Sequence, residues 1–158
     1  MARSPILAGA RVRELARRDL DEVVRIDGEH TGRPKGGWWR QFFAETFAEG
    51  ERARRISLAL EADGRVVGYL LGDVRAVEFG SEECGWVFAV GVEPVWARRG
   101  FASALLSEAV RQFRERGVRR VRTLVRRDDV PVLSFFRSSG FVGGTYTQLE
   151  LPLEEETP

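Results

Sequence analysis

The chain has 158 residues, 43% of them hydrophobic and 31% charged, which suits one globular domain with a core of its own. Its 25 basic residues against 24 acidic ones are scattered, which excludes a nucleic-acid binder working by bulk charge. Cys84 is the single cysteine, so an internal disulfide and a cysteine-built zinc cluster are excluded and no metal is expected. No apolar run is long enough to span a bilayer, and the opening Met-Ala-Arg-Ser-Pro lacks the apolar core of a signal segment. A cytoplasmic protein without membrane or nucleic-acid partners is expected.

Residues 10–15 alternate weakly and are expected to form a short strand. Asp19, Asp21 and Glu22 then open a helix, where acids favour the positive end of the helix dipole, and Leu20, Val23, Val24 and Ile26 give it an apolar face. The glycine-rich stretch 32–37 interrupts, and a second helix is expected over 38–49. Ile56, Leu58 and Leu60 alternate as a strand does. Asp63-Gly64 predicts a hairpin turn into a second strand over 66–77. A third strand is expected over 83–92, and after Gly100 a helix whose Ala102, Leu105, Leu106, Ala109 and Phe113 recur at helical spacing, closed by Gly117. A strand over 118–125, a short helix over 130–139 and one or two strands over 141–153 complete the chain, with an acidic tail at 154–156 that should fray. The order β-α-α-β-β-β-α-β-α-β-β is an α/β fold with a mixed, largely antiparallel twisted sheet flanked by helices. Residues 10–153 are expected to be one domain, and 1–9 and 154–158 short tails.

The segment most informative about chemistry is 90–106. A strand ends, a short loop carries Arg98, Arg99 and Gly100, and an amphipathic helix starts at once. Unpaired backbone N–H groups at a helix start attract an anion, aided by the dipole, and arginine suits phosphate oxygens. Gly100 lets the backbone approach closely and Ala102 keeps the next turn slim. Neither the phosphate loop Gly-x4-Gly-Lys-Ser/Thr nor the dinucleotide pattern Gly-x-Gly-x-x-Gly is present. The same spacing also describes an ordinary strand-to-helix turn with surface arginines.

Val92-Glu93-Pro94, then Arg98-Arg99-Gly100-Phe101-Ala102, then Leu105-Leu106 resembles motif A of the GNAT superfamily of N-acetyltransferases. Phe135-Phe136-Arg137-Ser138-Ser139-Gly140-Phe141 looks like the end of that superfamily's motif B, and residues 12–26 like its first strand and helix. The resemblance implies a GNAT fold over 10–153 and acetyl-CoA as cosubstrate. It implies that the amides of Val90 and Val92, around Gly91, pair with the pantetheine arm. The backbone of Arg98, Arg99, Gly100, Phe101, Ala102 and Ser103 would wrap the pyrophosphate. Asp129 stands where relatives place an asparagine touching the cofactor arm, and Phe136 beside the thioester where many relatives carry a tyrosine that protonates the leaving thiolate. Ala97 stands where the family has Gln or Arg. Leu124 and Trp86 occupy positions at which different relatives carry a glutamate base.

The reaction implied is direct attack of a neutral primary amine on the thioester through a tetrahedral intermediate. An alkyl amine is mostly protonated at neutral pH, so a proton acceptor is required, and positioning supplies much of the rate. A strand amide at Val90 or Val92 is placed to stabilise the oxyanion. The candidates for proton transfer are Glu83, which alternation sets on the face opposite Trp86 unless a bulge intervenes, and Tyr146 on the last strand pair, beside a water relay. Ser134, in the short helix, and Cys84 read as structural. Trp86, Trp38 and His30, the last in the loop after the first helix, are candidates for the acceptor side. Cys84, Trp86 and Phe88 share one strand face, with core packing expected for Phe88. Trp38 and Trp39 are adjacent on a helix, so at least one should be exposed or line a pocket. The acceptor stays open between a small amine, a peptide N-terminus and a lysine. A homodimer, common among relatives, is compatible with the chain. The alternative function is a catalytically silent acetyl-CoA-binding sensor.

Overall fold

The computed structural model describes residues 9–76 and 79–153, in two compact units that meet in sequence between Leu124 and Val125. The first contains β1 (Ala10–Glu14), α1 (Leu20–Thr31), α2 (Gly36–Thr46), β2 (Arg55–Ala62), β3 (Arg65–Arg75), β4 (Cys84–Val92), α3 (Phe101–Glu115) and β5 (Val121–Arg122). The second contains α4 (Val130–Ser138). The five strands make one sheet in chain order, antiparallel throughout except for the parallel pair β4 and β5.

Local chemistry sets the hairpin. Asp63 and Gly64 both have positive φ, 51° and 76°, the backbone that a two-residue turn between right-twisted strands requires. The two faces of the sheet are covered by different helices. On one face Ile26, Trp39 and Phe43 pack over Ala59, Tyr69 and Leu71. On the other, a Cβ at Gly85 would meet the Phe113 ring at 2.6 Å, so α3 lies close enough that only glycine fits.

Register divides the face under α1 and α2 into rows across β2, β3 and β4. The inner row is Ala59, Tyr69 and Gly91, the next Ser57, Leu71 and Ala89, and the outer row Arg55, Asp73 and Trp86. The register slips between the last two rows, where Leu71 pairs with Ala89 and Gly72 with Val87. Phe88 is therefore the extra residue of a β-bulge. It is 38% exposed, with its ring against Phe42 of α2, instead of filling the core.

Several expectations are corrected. The second helix begins at Gly36, so its two glycines lie inside it. The strand over 118–125 shrinks to Val121–Arg122, because its ladder with β4 stops at Trp86, just before the bulge. Residues 141–153 have no strand among the described residues. An alternating strand is held by burial of its apolar face, and here Val142, Leu149, Leu151 and Leu153 are exposed around Gly143-Gly144. The end placed at Val77 and the acidic tail at 154–156 lie outside the described residues.

Candidate functional site

Among the described residues, no strand pairs with the outer edge of β4 beyond Trp86, so its C-terminal half has an open edge. Glu93 N–H donates to Val67 O at 2.8 Å, so by antiparallel alternation Gly91 also turns its backbone groups toward β3, while Val90 and Val92 turn theirs away. His30 Nε2 marks that outer side at 2.7 Å from Val92 O. The contact requires the proton on Nε2, since a carbonyl oxygen only accepts. His30 belongs to the last turn of α1, not to the loop after it, and it touches the backbone of β4. Gly91 is required between the two valines, because a Cβ there would meet Tyr69 Cε1 at 2.9 Å. Burial, and then the Asp27 charge, raise the Tyr69 phenol above its ordinary value, so it stays neutral and structural.

After β4 the chain makes a 3-10 turn (Pro94–Trp96) and then reverses through Arg98 and Gly100, at φ 61° and 80°. Arginine in the left-handed region costs about 1 kcal/mol. The Arg99 guanidinium lies 5.2 Å over the Trp96 ring. Helix α3 has no side-chain cap at Gly100, and its first bond to the loop runs from Ala104 N to Gly100 O. Among the described residues, the backbone N–H groups of Arg98, Arg99, Gly100, Phe101, Ala102 and Ser103 have no acceptor. A Cβ on Gly100 would meet nothing within 4 Å, so the loop is uncrowded on that side. The arrangement fits a multiply charged phosphate group held by backbone N–H donors at a helix start.

Glu93 anchors the start of this loop. Its carboxylate, 7% exposed, receives Arg65 Nη2 at 2.7 and 2.9 Å and Arg25 Nη1 at 2.5 Å. Arg25 is held in turn by Glu22 and Glu29. The end of β4 is thus tied to α1 and to the start of β3. Glu93 had stood out only as the middle of Val-Glu-Pro, with no sign of its partners.

On the acceptor side, Trp38 is 52% exposed and stacks on Phe42 at 5.2 Å, while Trp39 is buried and donates Nε1–H to Asp27 Oδ2 at 2.9 Å. Trp86 is half-buried in the outer row, with the Arg75 guanidinium 4.9 Å over its ring. Cys84 is buried, as expected. Glu83 precedes β4, is exposed, and borders a cavity with Arg54, Val74 and Arg116. The bulge comes after Trp86, so it does not carry Glu83 to Trp86's face. Asp73, Arg75 and Arg55 were missed. Their signal was alternation in the two hairpin strands, which becomes informative only with the register.

In the second unit, Asp129 caps α4, accepting from Val132 N at 3.2 Å. Phe136 is buried between the rings of Phe135 and Phe141. Tyr146 is 50% exposed and lies in a segment without strand structure, not on a strand pair.

Comparison with known proteins agrees with this architecture. The structure superposes on the aminoglycoside N-acetyltransferase AAC(6')-Iy in complex with CoA with a TM-score of 0.77 at 15% identity, covering 91% of this chain and 95% of that one. It superposes on a transcriptional regulator from Bacillus halodurans with a TM-score of 0.76 at 16% identity, covering 91% and 99%. At those identities the likeness concerns the fold alone. In sequence, the mycothiol acetyltransferase of Saccharomonospora viridis is 33% identical over 109 residues, 64% of this chain and 36% of that protein. That of Clavibacter michiganensis subsp. michiganensis is 37% identical over 86 residues, 54% of this chain and 26% of that protein. The alignments thus span about a third or less of the curated relatives they match. The model of the Acetyltransferase (GNAT) family matches residues 12–141, most of the chain, and the chain therefore belongs to the GNAT acetyltransferase family.

Proposed function

We propose that this chain is an acetyl-CoA-dependent N-acetyltransferase whose acceptor is a primary amine on a small molecule, with residues 10–153 acting as one acetyltransferase domain. The observation that carries the reading is the row of unpartnered N–H groups from Arg98 to Ser103, next to the open edge of β4. The backbone of that loop would hold the pyrophosphate, with Arg98 and Arg99 adding charge. The backbone amides of Val90 and Val92 would pair with the pantetheine arm, Val92 through its N–H because its carbonyl is held by His30. Bound acetyl-CoA supplies an activated acyl carbon. The chain holds the amine and the acyl group together, which converts a bimolecular reaction into an effectively unimolecular one. A small-molecule acceptor is favoured by the relatives, whose names specify mycothiol and aminoglycosides.

Calorimetric titration with acetyl-CoA and with free CoA tests the cofactor assignment. Micromolar binding that is lost in Gly100→Asp supports it, and unchanged affinity in that variant removes the pyrophosphate site. A second reading, a silent acetyl-CoA sensor, is favoured by two observations: Phe136 offers no hydroxyl, and Glu83 lies away from the face of Trp86. Tight binding with no CoA release above background across a panel of amines would establish the sensor in place of the enzyme.

A further inference from the structure

The outer row of the sheet and its neighbour Arg75 hold polar atoms that no described residue satisfies. Asp73 Oδ1, Arg75 Nε and Trp86 Nε1 are shielded from water and have no hydrogen-bond partner among the described residues. Asp73 and Trp86 stand directly opposite each other on β3 and β4, and Arg75 is the next residue of β3 on the same face. The Arg75 guanidinium lies 4.9 Å over the Trp86 ring, and its Nε is 3.3 Å from Asp73 Oδ1 in an ion pair that lacks hydrogen-bond geometry. The cation of the row itself, Arg55, is turned onto the Phe42 ring at 4.9 Å, with its Nε 3.9 Å from Glu51.

Buried polar atoms without partners are rare and call for a reason. Here the Arg75 cation lies over the Trp86 ring and beside the Asp73 carboxylate, a combination of aromatic face and carboxylate that attracts ammonium groups as well. Arg75 is 36% exposed and long, so it can leave, whereas Asp73 and Trp86 are fixed by the ladder. Its departure uncovers a carboxylate oxygen, an indole face and an indole N–H donor. A ligand that satisfies all three brings an ammonium and, one or two bonds away, a neutral oxygen that accepts from Trp86 Nε1.

We propose that Asp73 and Trp86 form the ammonium subsite of the acceptor, kept filled by Arg75 in the free protein, and that the acceptor is a primary amine with an adjacent hydroxyl or carbonyl oxygen, as in an amino sugar. The inference rests on the transferase reading for the meaning of the amine, but its binding test does not need the reaction.

The test follows the Trp86 indole N–H resonance, identified by its loss in Trp86→Phe, while D-glucosamine, D-glucose or butylamine is added. Glucosamine should move the resonance saturably, butylamine should bind more weakly, and glucose should leave it unmoved. Asp73→Asn should weaken glucosamine binding about tenfold, whereas Arg75→Gln should strengthen it by removing the competing cation. Asp73→Asn that binds glucosamine like the parent, or a parent protein unmoved by glucosamine, overturns the proposal. Should Asp73→Asn fail to fold, Arg75→Gln decides: weaker glucosamine binding in it also overturns the proposal. Acetyl-CoA titration of the same samples separates the two readings. Loss of amine binding with cofactor binding intact in Asp73→Asn supports the subsite. Amine binding in a protein that never binds acetyl-CoA keeps the subsite and removes the transferase.

Discussion

His30 Nε2 lies 2.7 Å from the carbonyl oxygen of Val92, so the last turn of α1 holds the residue whose amide faces the open edge of β4. The bond fixes the Val92–Glu93 peptide, whose N–H donates to Val67 O, and does not use the Val92 N–H, which lies in the preceding peptide plane. His30→Ala should leave the fold intact, cost about 1 kcal/mol of stability and weaken acetyl-CoA binding about three- to tenfold. Calorimetry checks the second effect. His30→Gln, which keeps a donor, should recover part of the affinity, and equal losses in both variants would show that only the imidazole shape matters.

Gly91→Ala should destabilise the chain by about 1–3 kcal/mol, as overpacking does. The added Cβ would meet Tyr69 Cε1 at 2.9 Å, with Ile26 Cγ2 at 3.4 Å behind it. Urea denaturation with an unchanged midpoint would show that the Tyr69 ring yields freely.

Glu93→Gln should lower stability by about 1–3 kcal/mol and Glu93→Ala by more, since Arg25 and Arg65 both converge on a carboxylate that is 7% exposed. The arginines are themselves a third to a half exposed, which limits the cost. Both variants should also weaken acetyl-CoA binding, because Glu93 fixes the start of the loop. Parent-like affinity in the alanine variant would mean that the loop orders itself.

Acid should loosen the edge of the sheet. Burial works to raise the Asp19 carboxyl, but hydrogen bonds from Arg13, the amide of Ala16 and the Arg13 charge outweigh it and hold the group below its ordinary value. Hydrogen bonds from Arg13 and then Arg11 lower Glu61 as well. A carboxyl lowered on folding contributes stability that is complete above the ordinary carboxylate range near 4 and is lost as pH falls through the lowered folded value. Asp19→Asn should therefore be less stable than the parent at neutral pH and should flatten the decline below about pH 4. Chemical denaturation across that range decides, and parallel curves would place the acid sensitivity elsewhere.

Features written in local spacing were legible in the sequence. The Asp63-Gly64 turn, the apolar stripe of α3 and the loop around Gly100 all appear where nearest-neighbour chemistry puts them. Features that depend on which strands meet were not. Glu93 is 68 residues from Arg25 and 28 from Arg65, so nothing near Val-Glu-Pro announces the bridge. The bulge at Phe88 carries no glycine or proline to mark it, and it turns an expected core ring outward. The apolar pattern of α1 fades before the helix does, so spacing puts His30 in a loop, whereas it lies in the last helical turn. The terminal apolar alternation predicted strands for which the described residues show no partner.

The three rows of the sheet also separate two kinds of evolutionary freedom. Ala59, Tyr69 and Gly91 lie under the helices, where one methyl group already collides. Arg55, Asp73 and Trp86 use the same two backbone ladders at the rim, and their side chains can change without touching that packing. A lineage can therefore try new ligand chemistries at the outer row while inheriting the inner one unaltered. Divergence among relatives of this chain should concentrate in the row farthest from α1.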